Sequence, residues 1–227
     1  ASWPQITPGL SGARIGWLGD WGAAYAYEDG IAEAAEAAVR QMEGLGATVE
    51  EVPPPMDAAA LWEAWTTLRS WQVACSLGPL YETRRNDLKD TAIWEVERGL
   101  KLSGMKVHRA SVTRSEGFAA AAALFDRFDA LVLPATQCWP FDTDLPWPAE
   151  IAGRRMDTYH RWMEVVIFAS LLGLPVVAVP AGFGGPNDMP FGLQLIGRRG
   201  SDAKLLRLAE GWHQGTDWPA KRPPAQG

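Results

Sequence analysis

The stretch Gly173-Leu-Pro-Val-Val-Ala-Val-Pro-Ala-Gly-Phe-Gly-Gly-Pro-Asn-Asp-Met-Pro-Phe-Gly-Leu-Gln-Leu-Ile-Gly-Arg198 decides the fold class. Residues 176–179 form a short apolar, β-branched run between two prolines, and residues 191–196 form a second run that ends at a glycine. Two such runs around a glycine-rich turn predict a strand, a turn and a strand. A helix is predicted directly afterwards, because Ser201 can cap a segment in which leucines and Trp212 recur at helical spacing.

The N-terminal part of the chain alternates between strand and helix patterns. Residues 13–18 and 47–52 are predicted to be strands, and the second is stopped by three consecutive prolines. Between them, Asp29 is predicted to cap an alanine-rich helix that runs to about Glu43. A strand–helix–strand unit predicts a right-handed crossover and parallel strands. Its glycines do not form the GxGxxG pattern, so no dinucleotide cofactor is implied.

The middle of the chain is predicted to be mainly helical until a buried strand begins. The helices are expected at 57–76, with a stop near Gly78-Pro79, and at 91–102 and 108–128. Residues 130–135 are apolar without alternation, which is typical of a strand buried on both faces. Residues 137–153 are rich in proline and tryptophan and are predicted to form a long ordered loop. Asp157 or Thr158 is then expected to cap a helix to about Leu172, and residues 219–227 are expected to be a frayed tail.

Composition excludes several classes of function. The net charge is −6 and the basic residues are not clustered, so a nucleic-acid surface is not expected. No apolar run approaches the ~20 residues that cross a membrane, and the first residues have no signal-peptide pattern. Cys75 and Cys138 are expected to be free thiols of a cytoplasmic protein. The three histidines lack metal-ligand spacing, so we expect no metal and no cofactor. The unusual start suggests a chain cut or cloned from something longer.

Five segments, in this order, carry a family resemblance. They are residues 129–136, 156–163, 173–175, 179–182 and 192–197. Their order and spacing resemble the C-terminal half of bacterial amidase signature enzymes, which are serine hydrolases of carboxamides. The resemblance implies an α/β fold with a mixed, mostly parallel sheet flanked by helices. It also implies that residues 1–227 are the C-terminal part of one such domain, without the catalytic N-terminal part.

The family's catalytic serine–serine–lysine set is not recognisable in this chain. Gly184-Gly185-Pro186 carries no serine, and the serines elsewhere are isolated from glycine pairs. Leu88-Lys89-Asp90 imitates the family's lysine element, but it follows a charged run rather than an apolar strand. A solvated helix start is the better interpretation of Lys89. We therefore predict no catalytic residue here, and we expect the N-terminal half of the same protein as the partner that supplies them.

Two segments are candidates for the substrate pocket. One is the loop after the buried strand, because ligands of open α/β sheets bind beyond the carboxyl ends of strands. It contributes Gln137, Cys138, Trp139 and Phe141, together with Thr136. The other is one face of the predicted 158–172 helix, and it contributes Tyr159, Trp162 and Val166, together with Met163. The alternative is that these side chains are core: we favour core for Val166 and Met163, and both interpretations stay open for Trp139, Cys138 and Tyr159. No histidine partner can be named for Cys138, which argues against a nucleophilic role.

The resemblance implies an amidase that hydrolyses small carboxamides, and the aromatic candidates suggest a hydrophobic acyl or aryl group. The first alternative is the amidotransferase subunit that amidates mischarged tRNA, which shares the fold and depends on partner subunits and ATP. The second alternative is a non-catalytic scaffold derived from the fold. The sequence leaves the amide substrate open, and a homodimer also stays open.

Overall fold

The computed structural model describes residues 9–186 and 188–220. The chain forms two compact units: residues up to 54 together with those from 122 onward, and residues 55–121 between them. The strands are β1 Arg14–Trp17, β2 Thr48–Glu51, β3 Ala130–Pro134, β4 Glu150–Ile151, β5 Arg154–Arg155, β6 Val176–Gly184 and β7 Met189–Ile196. The helices are α1 Ile31–Gly44, α2 Ala58–Arg84, α3 Asp90–Leu100, α4 Gly104–Leu124, α5 Ile167–Leu172 and α6 Asp202–Thr216.

The first unit is built on a five-stranded sheet in the order β2-β1-β3-β7-β6. Strand β1 pairs in parallel with β2 and β3, as the strand–helix–strand pattern predicts. Strand β7 pairs antiparallel with both β3 and β6, which confirms the predicted strand–turn–strand. Four of the five strands therefore run in one direction, and the predicted α/β class with a mixed sheet flanked by helices is confirmed. Strands β4 and β5 form a separate small hairpin.

The core of this unit follows from the period of its apolar residues. Strand β3 is buried along its whole length, as its unbroken apolar run predicts. Helix α1 buries one stripe at helical spacing, and alanines in that stripe let it approach the sheet closely. Trp212 of α6 is fully buried in the same core, where its indole N–H donates to the Pro180 carbonyl at 2.8 Å.

The second unit is held by a close contact between α2 and α3. Gly99 lies against the backbone carbonyl of Ser70 and the side chain of Ala74, where no Cβ would fit. Glu95 is buried beside this contact and accepts hydrogen bonds from the Arg69 guanidinium at 2.8 Å and from the Ser70 hydroxyl. A buried carboxylate requires such partners, so the α2–α3 contact is specific in geometry as well as apolar.

The predicted end of α2 near Gly78-Pro79 is wrong, because the helix continues to Arg84 with Pro79 inside it. A proline in a helix interior removes one backbone hydrogen bond and costs about 3 kcal/mol. The helix nevertheless continues alongside α3, where Tyr81 and Arg85 bind the Glu97 carboxylate at 2.9 and 3.0 Å. Tertiary interactions therefore override the local helix-stop signal.

The predicted regular helix from Asp157 or Thr158 to Leu172 is also wrong. Residues Arg161–Val166 form a 3-10 helix with non-helical backbone angles at Met163, and a regular helix begins only at Ile167. The Asp157 carboxylate binds the Arg161 guanidinium at 3.0 Å instead of capping a helix. Tyr159 lies in the turn before this segment, so the shared helical face predicted for Tyr159, Trp162, Met163 and Val166 does not exist as a regular face.

Several other predicted ends of helices and loops differ from those in the structure by a few residues or in how the helix is capped. The α1 N-cap is Gly30 in the left-handed region at φ 88°, not Asp29. Ser201 does stand at the α6 N-cap, but its hydroxyl donates to the Arg198 carbonyl. Helix α4 begins at Gly104, four residues before the predicted start at His108. The predicted 137–153 loop contains the β4 strand, and the predicted tail includes a 3-10 turn at Trp218–Ala220, while residues 221–227 lie outside the described residues.

Within residues 9–186 and 188–220, no helix is both long and apolar enough to cross a membrane. The same ranges contain no group of three or more histidine, cysteine, aspartate or glutamate residues that could hold a metal ion.

Candidate substrate-pocket wall

Gln137, the first candidate residue beyond β3, is completely buried and both ends of its amide are used. Its Nε2 donates to the Ala26 carbonyl at 3.1 Å, and its Oε1 accepts the Val165 N–H at 3.0 Å. The loop that follows β1 and the kinked 161–166 segment thus meet at this one side chain. The Glu28 N–H also donates to the Gln137 carbonyl, which fixes the backbone here.

Trp139 points into the hydrophobic core of the first unit and is 3 % exposed. Its indole N–H donates to the Asp29 carbonyl at 2.9 Å, and its backbone N–H donates to the Glu28 carboxylate at 2.8 Å. A Cβ placed at Gly184 would lie 2.7 Å from its ring, so the glycine-rich turn after β6 leaves the space that the indole fills. The structure therefore separates Trp139 from the other aromatic candidates.

A second, smaller cluster joins the remaining candidates. Cys138, Ile151 and Met156 are buried, and the half-buried Phe141, Trp147 and Trp162 pack against them. Phe141 and Trp162 meet edge to face at 5.4 Å between ring centroids, and Trp147 lies 6.3 Å from Tyr159. We call Phe141, Trp147, Tyr159 and Trp162 the aromatic wall. Val166 lies half-buried at the N-cap of α5.

Sequence reasoning missed Trp147, although a signal was present. Trp147 stands between Pro146 and Pro148 in the long loop. Flanking prolines restrict the backbone and hold a large ring in place without a helix or strand. A tryptophan in that setting, inside the loop already singled out, was a candidate on the same grounds as Trp139.

The Cys138 thiol is not suited to act as a nucleophile. Burial, together with the negative charge of Glu28, raises its pKa to about 11. A thiol with such a pKa is protonated at neutral pH, and the thiolate is the reactive form. Its role in the cluster is apolar packing.

Charged residues of the 154–166 segment connect two parts of the chain, and no local sequence pattern indicated them. Glu164 is 1 % exposed and pairs with Arg161 at 2.9 Å and with Arg154 at 3.3 Å. Burial raises the pKa of Glu164 although both arginines act in the opposite direction. Arg154 also donates to the Ala24 carbonyl at 2.6 Å, which links the hairpin to the loop after β1. A hydrogen bond from Arg161 lowers the pKa of Asp157.

The described serines show no catalytic arrangement. The hydroxyls of Ser111, Ser115 and Ser201 donate to backbone carbonyls, and that of Ser70 donates to Glu95. Lys89 is exposed at the N-cap of α3, in agreement with the predicted solvated helix start. Among residues 9–186 and 188–220, no serine hydroxyl is hydrogen-bonded to a lysine ammonium.

A family model described as Amidase matches residues 4–206, which is most of the chain. The chain belongs to the amidase family. This confirms the resemblance that the five ordered segments carry.

The relatives and solved structures that match this chain carry several different names. A curated relative is a glutamyl-tRNA(Gln) amidotransferase subunit of Ralstonia nicotianae, 28% identical over 95% of this chain and 47% of its own length. Among solved structures, a bacterial aryl acylamidase of the amidase signature enzymes matches with a TM-score of 0.81 and 25% identity over 96% of this chain and 48% of that one. The corresponding amidotransferase subunit of Thermotoga maritima matches with a TM-score of 0.60 and 25% identity over 92% and 44%.

The chain spans less than half the length of each of these relatives. Its fold is nevertheless that of the family along nearly its whole length, because 96% of it is covered by the aryl acylamidase match.

Proposed function

We propose that this chain is part of an amidase that hydrolyses small carboxamides, adding water across the C–N bond to give a carboxylate and an amine. The serine–serine–lysine set that the resemblance implies lies outside this chain. Residues 1–227 supply scaffold and the acyl side of the substrate pocket. In such a reaction the aromatic wall selects substrates, and it takes no part in bond making.

The observation that carries this proposal is the aromatic wall beyond the carboxyl end of β3. Ligands of open α/β sheets bind beyond the carboxyl ends of strands, often where neighbouring connections diverge. Four half-buried aromatic rings lie there, and part of each ring remains exposed. Apolar and aromatic linings are typical of sites for small organic ligands, so we propose a hydrophobic acyl or aryl group as the part that binds here.

The partner that we propose is the catalytic half of the same protein. Support comes from β6, which lies at one edge of the described sheet and exposes Val176 by 39 % and Phe183 by 42 %. An edge strand with exposed apolar side chains is a surface that proteins usually cover. We also propose a cytoplasmic location, which the two free thiols of Cys75 and Cys138 support.

An amidotransferase subunit is the second candidate, because the curated relatives carry that name. At the same 25% identity, however, the structure resembles the aryl acylamidase more closely than the amidotransferase subunit, with TM-scores of 0.81 and 0.60. The intact protein decides between them: turnover of a simple amide without ATP or a partner protein supports the amidase, and dependence on both supports the amidotransferase.

In the intact protein, Trp162→Ala and Phe141→Ala are each expected to change the ranking of amide substrates. Removing one ring enlarges the space beside the remaining apolar surface, and a hydrophobic pocket distinguishes substrates by about 1–3 kcal/mol per methylene-sized change. The measurement is kcat/KM over a series of acyl chain lengths and one aryl acyl group.

The stability control for this experiment is Leu208→Ala, a buried residue of α6 in the main core. It is expected to lower stability and leave the ranking unchanged. An unchanged ranking in both wall variants would show that Phe141 and Trp162 are core residues. An intact protein that hydrolyses no carboxamide would refute the proposed function itself.

A further inference from the structure

The backbone of Val165 is held by two buried glutamine side chains. Val165 lies in the 3-10 segment Arg161–Val166, two residues after the non-helical angles at Met163 (φ −113°, ψ 21°). Its N–H donates to Gln137 Oε1 at 3.0 Å, and its carbonyl accepts from Gln194 Nε2 at 3.3 Å. Both polar groups of one buried residue at a kink are therefore satisfied by side chains from elsewhere in the chain.

The two glutamines are themselves anchored to the sheet and its loops. Gln137 is 0 % and Gln194 is 4 % exposed. Gln194 lies in β7 directly opposite Leu133 of β3, and its Nε2 also donates to the Pro134 carbonyl at 2.7 Å. Gln137 follows β3 and donates to the Ala26 carbonyl. The kink is thus connected to the end of β3 by two independent hydrogen-bonded paths.

We infer that Gln137 and Gln194 are positioning residues, a glutamine clamp that fixes the kinked segment, and through it Trp162, at the end of β3. The amide of Gln137 is already used at both ends, so it is suited to hold the pocket wall in place rather than to bind substrate. This inference rests on the proposed function, because the clamp acts on selectivity only if Trp162 contacts the acyl group.

Glutamine is suited to this place because a primary amide donates and accepts at once without a charge. An apolar side chain of similar size would leave the buried Val165 N–H without a partner and would remove the donor to the half-buried Ala26 carbonyl, which is costly. A carboxyl group of the same shape can replace the amide only while it is protonated. Then its O–H donates to the Ala26 carbonyl and its C=O accepts the Val165 N–H.

In the Gln137→Glu variant, the hydrogen bonds of the clamp therefore depend on the protonation state of the new carboxyl group, and so on pH. Burial raises a carboxyl pKa above its ordinary value of about 4.3. Below that raised pKa the neutral acid keeps both hydrogen bonds, and above it the ionised form loses the donor and places a charge in the core. We expect the ratio of kcat/KM between variant and wild type to be near one at low pH and to fall about tenfold as pH rises, with a changed acyl ranking.

Other ionisable side chains lie on the segments that pack against Gln137. They are Tyr25, Tyr27 and Glu28 of the loop after β1, Cys138 beside it, and Arg154, Asp157, His160, Arg161 and Glu164 of the 154–166 segment. Wild type carries all of them, so the ratio at each pH removes their contribution. Gln72→Glu is the matched control, because Gln72 is exposed in the other unit, and its ratio is expected to stay flat.

A second measurement tests the clamp without an assay of enzyme activity. Amide hydrogen exchange at Val165 is expected to be slow in wild type and in Gln137→Glu at low pH, and at least tenfold faster in that variant at high pH, after correction for the intrinsic pH dependence of exchange. Gln194→Met, which removes the donor to the Val165 carbonyl without introducing a charge, is expected to shift the acyl ranking at every pH. It provides the test if Gln137→Glu unfolds when ionised.

An unchanged rate of amide hydrogen exchange at Val165 in these variants would show that Gln137 and Gln194 do not hold the kinked segment. Faster exchange with an unchanged acyl ranking would overturn its role in selectivity. If wild type hydrolyses no carboxamide, the proposed function fails, while the exchange measurement still decides whether the clamp exists.

Discussion

Trp139→Ala is expected to lower the free energy of unfolding of the 227-residue chain by about 3–5 kcal/mol, the usual range for removing a large buried aromatic side chain. The loss is expected to be near the top of this range. Its neighbours at the turn, Gly184 and Gly185, have no side chains that could move into the space, and the packing against Phe191 would also be lost. The Asp29 carbonyl would lose its indole donor as well.

Chemical denaturation of wild type, Trp139→Ala and Trp139→Phe measures this effect. The phenylalanine variant keeps part of the packing and is expected to lose less stability. A Trp139→Ala variant with wild-type stability and a changed acyl ranking in the intact protein would place Trp139 in the pocket, the alternative that the sequence left open.

Gly99→Ala is expected to destabilise the chain by about 3 kcal/mol, at the upper end of the usual cost of overpacking. The new methyl group would overlap the Ser70 carbonyl oxygen and lie 2.6 Å from the Ala74 Cβ. A backbone atom cannot rotate away, so α2 and α3 must separate, and this pulls Glu95 from Arg69 and Ser70. Denaturant unfolding again gives the value.

Gly78→Ala is the matched control for this prediction. Gly78 lies in the α2 helix, and a Cβ there meets nothing within 4 Å. Alanine is normally favoured over glycine in a helix interior by about 1 kcal/mol, but the proline that follows disfavours helical angles for a residue with a Cβ. The two effects oppose each other, so this control is expected to change stability by less than about 1 kcal/mol. Equal stability of the two variants would show that the α2–α3 contact is looser than the structure has it.

Periodicity was enough to predict the order of the main elements. The unbroken apolar run of β3, the glycine-rich turn between β6 and β7 and the parallel β1–β2 unit are all local patterns with a direct physical cause. The two large errors have a common origin in tertiary contacts. The helix with Pro79 continues alongside α3, where residues beyond the proline bind Glu97, and the 161–166 segment is kinked where Gln137 and Gln194 bind Val165.

In the candidate pocket, too, some features follow from local sequence patterns and others depend on tertiary contacts. Cys138 and Phe141 were selected by the strand before them, and Trp162 was selected as part of a predicted helical face. All three are packed in one cluster. The buried pairing of Glu164 with Arg154 was not predictable, because nothing in the local sequence says that a charged residue is buried. The direction of the Trp139 ring depends on Gly184 and Gly185, which lie far along the chain and which a local pattern does not connect to it.

The measurement that tests the central claim most directly is amide turnover by the 227-residue chain alone and by the intact protein. We predict no turnover of simple aryl or alkyl amides by the chain, and turnover by the intact protein, because we propose that the bond-breaking groups lie outside residues 1–227. Lys89→Ala and Cys138→Ala are expected to leave the intact protein able to hydrolyse amides, since Lys89 is solvated and the Cys138 thiol is protonated at neutral pH. Turnover by the chain alone that either substitution abolishes would contradict the account.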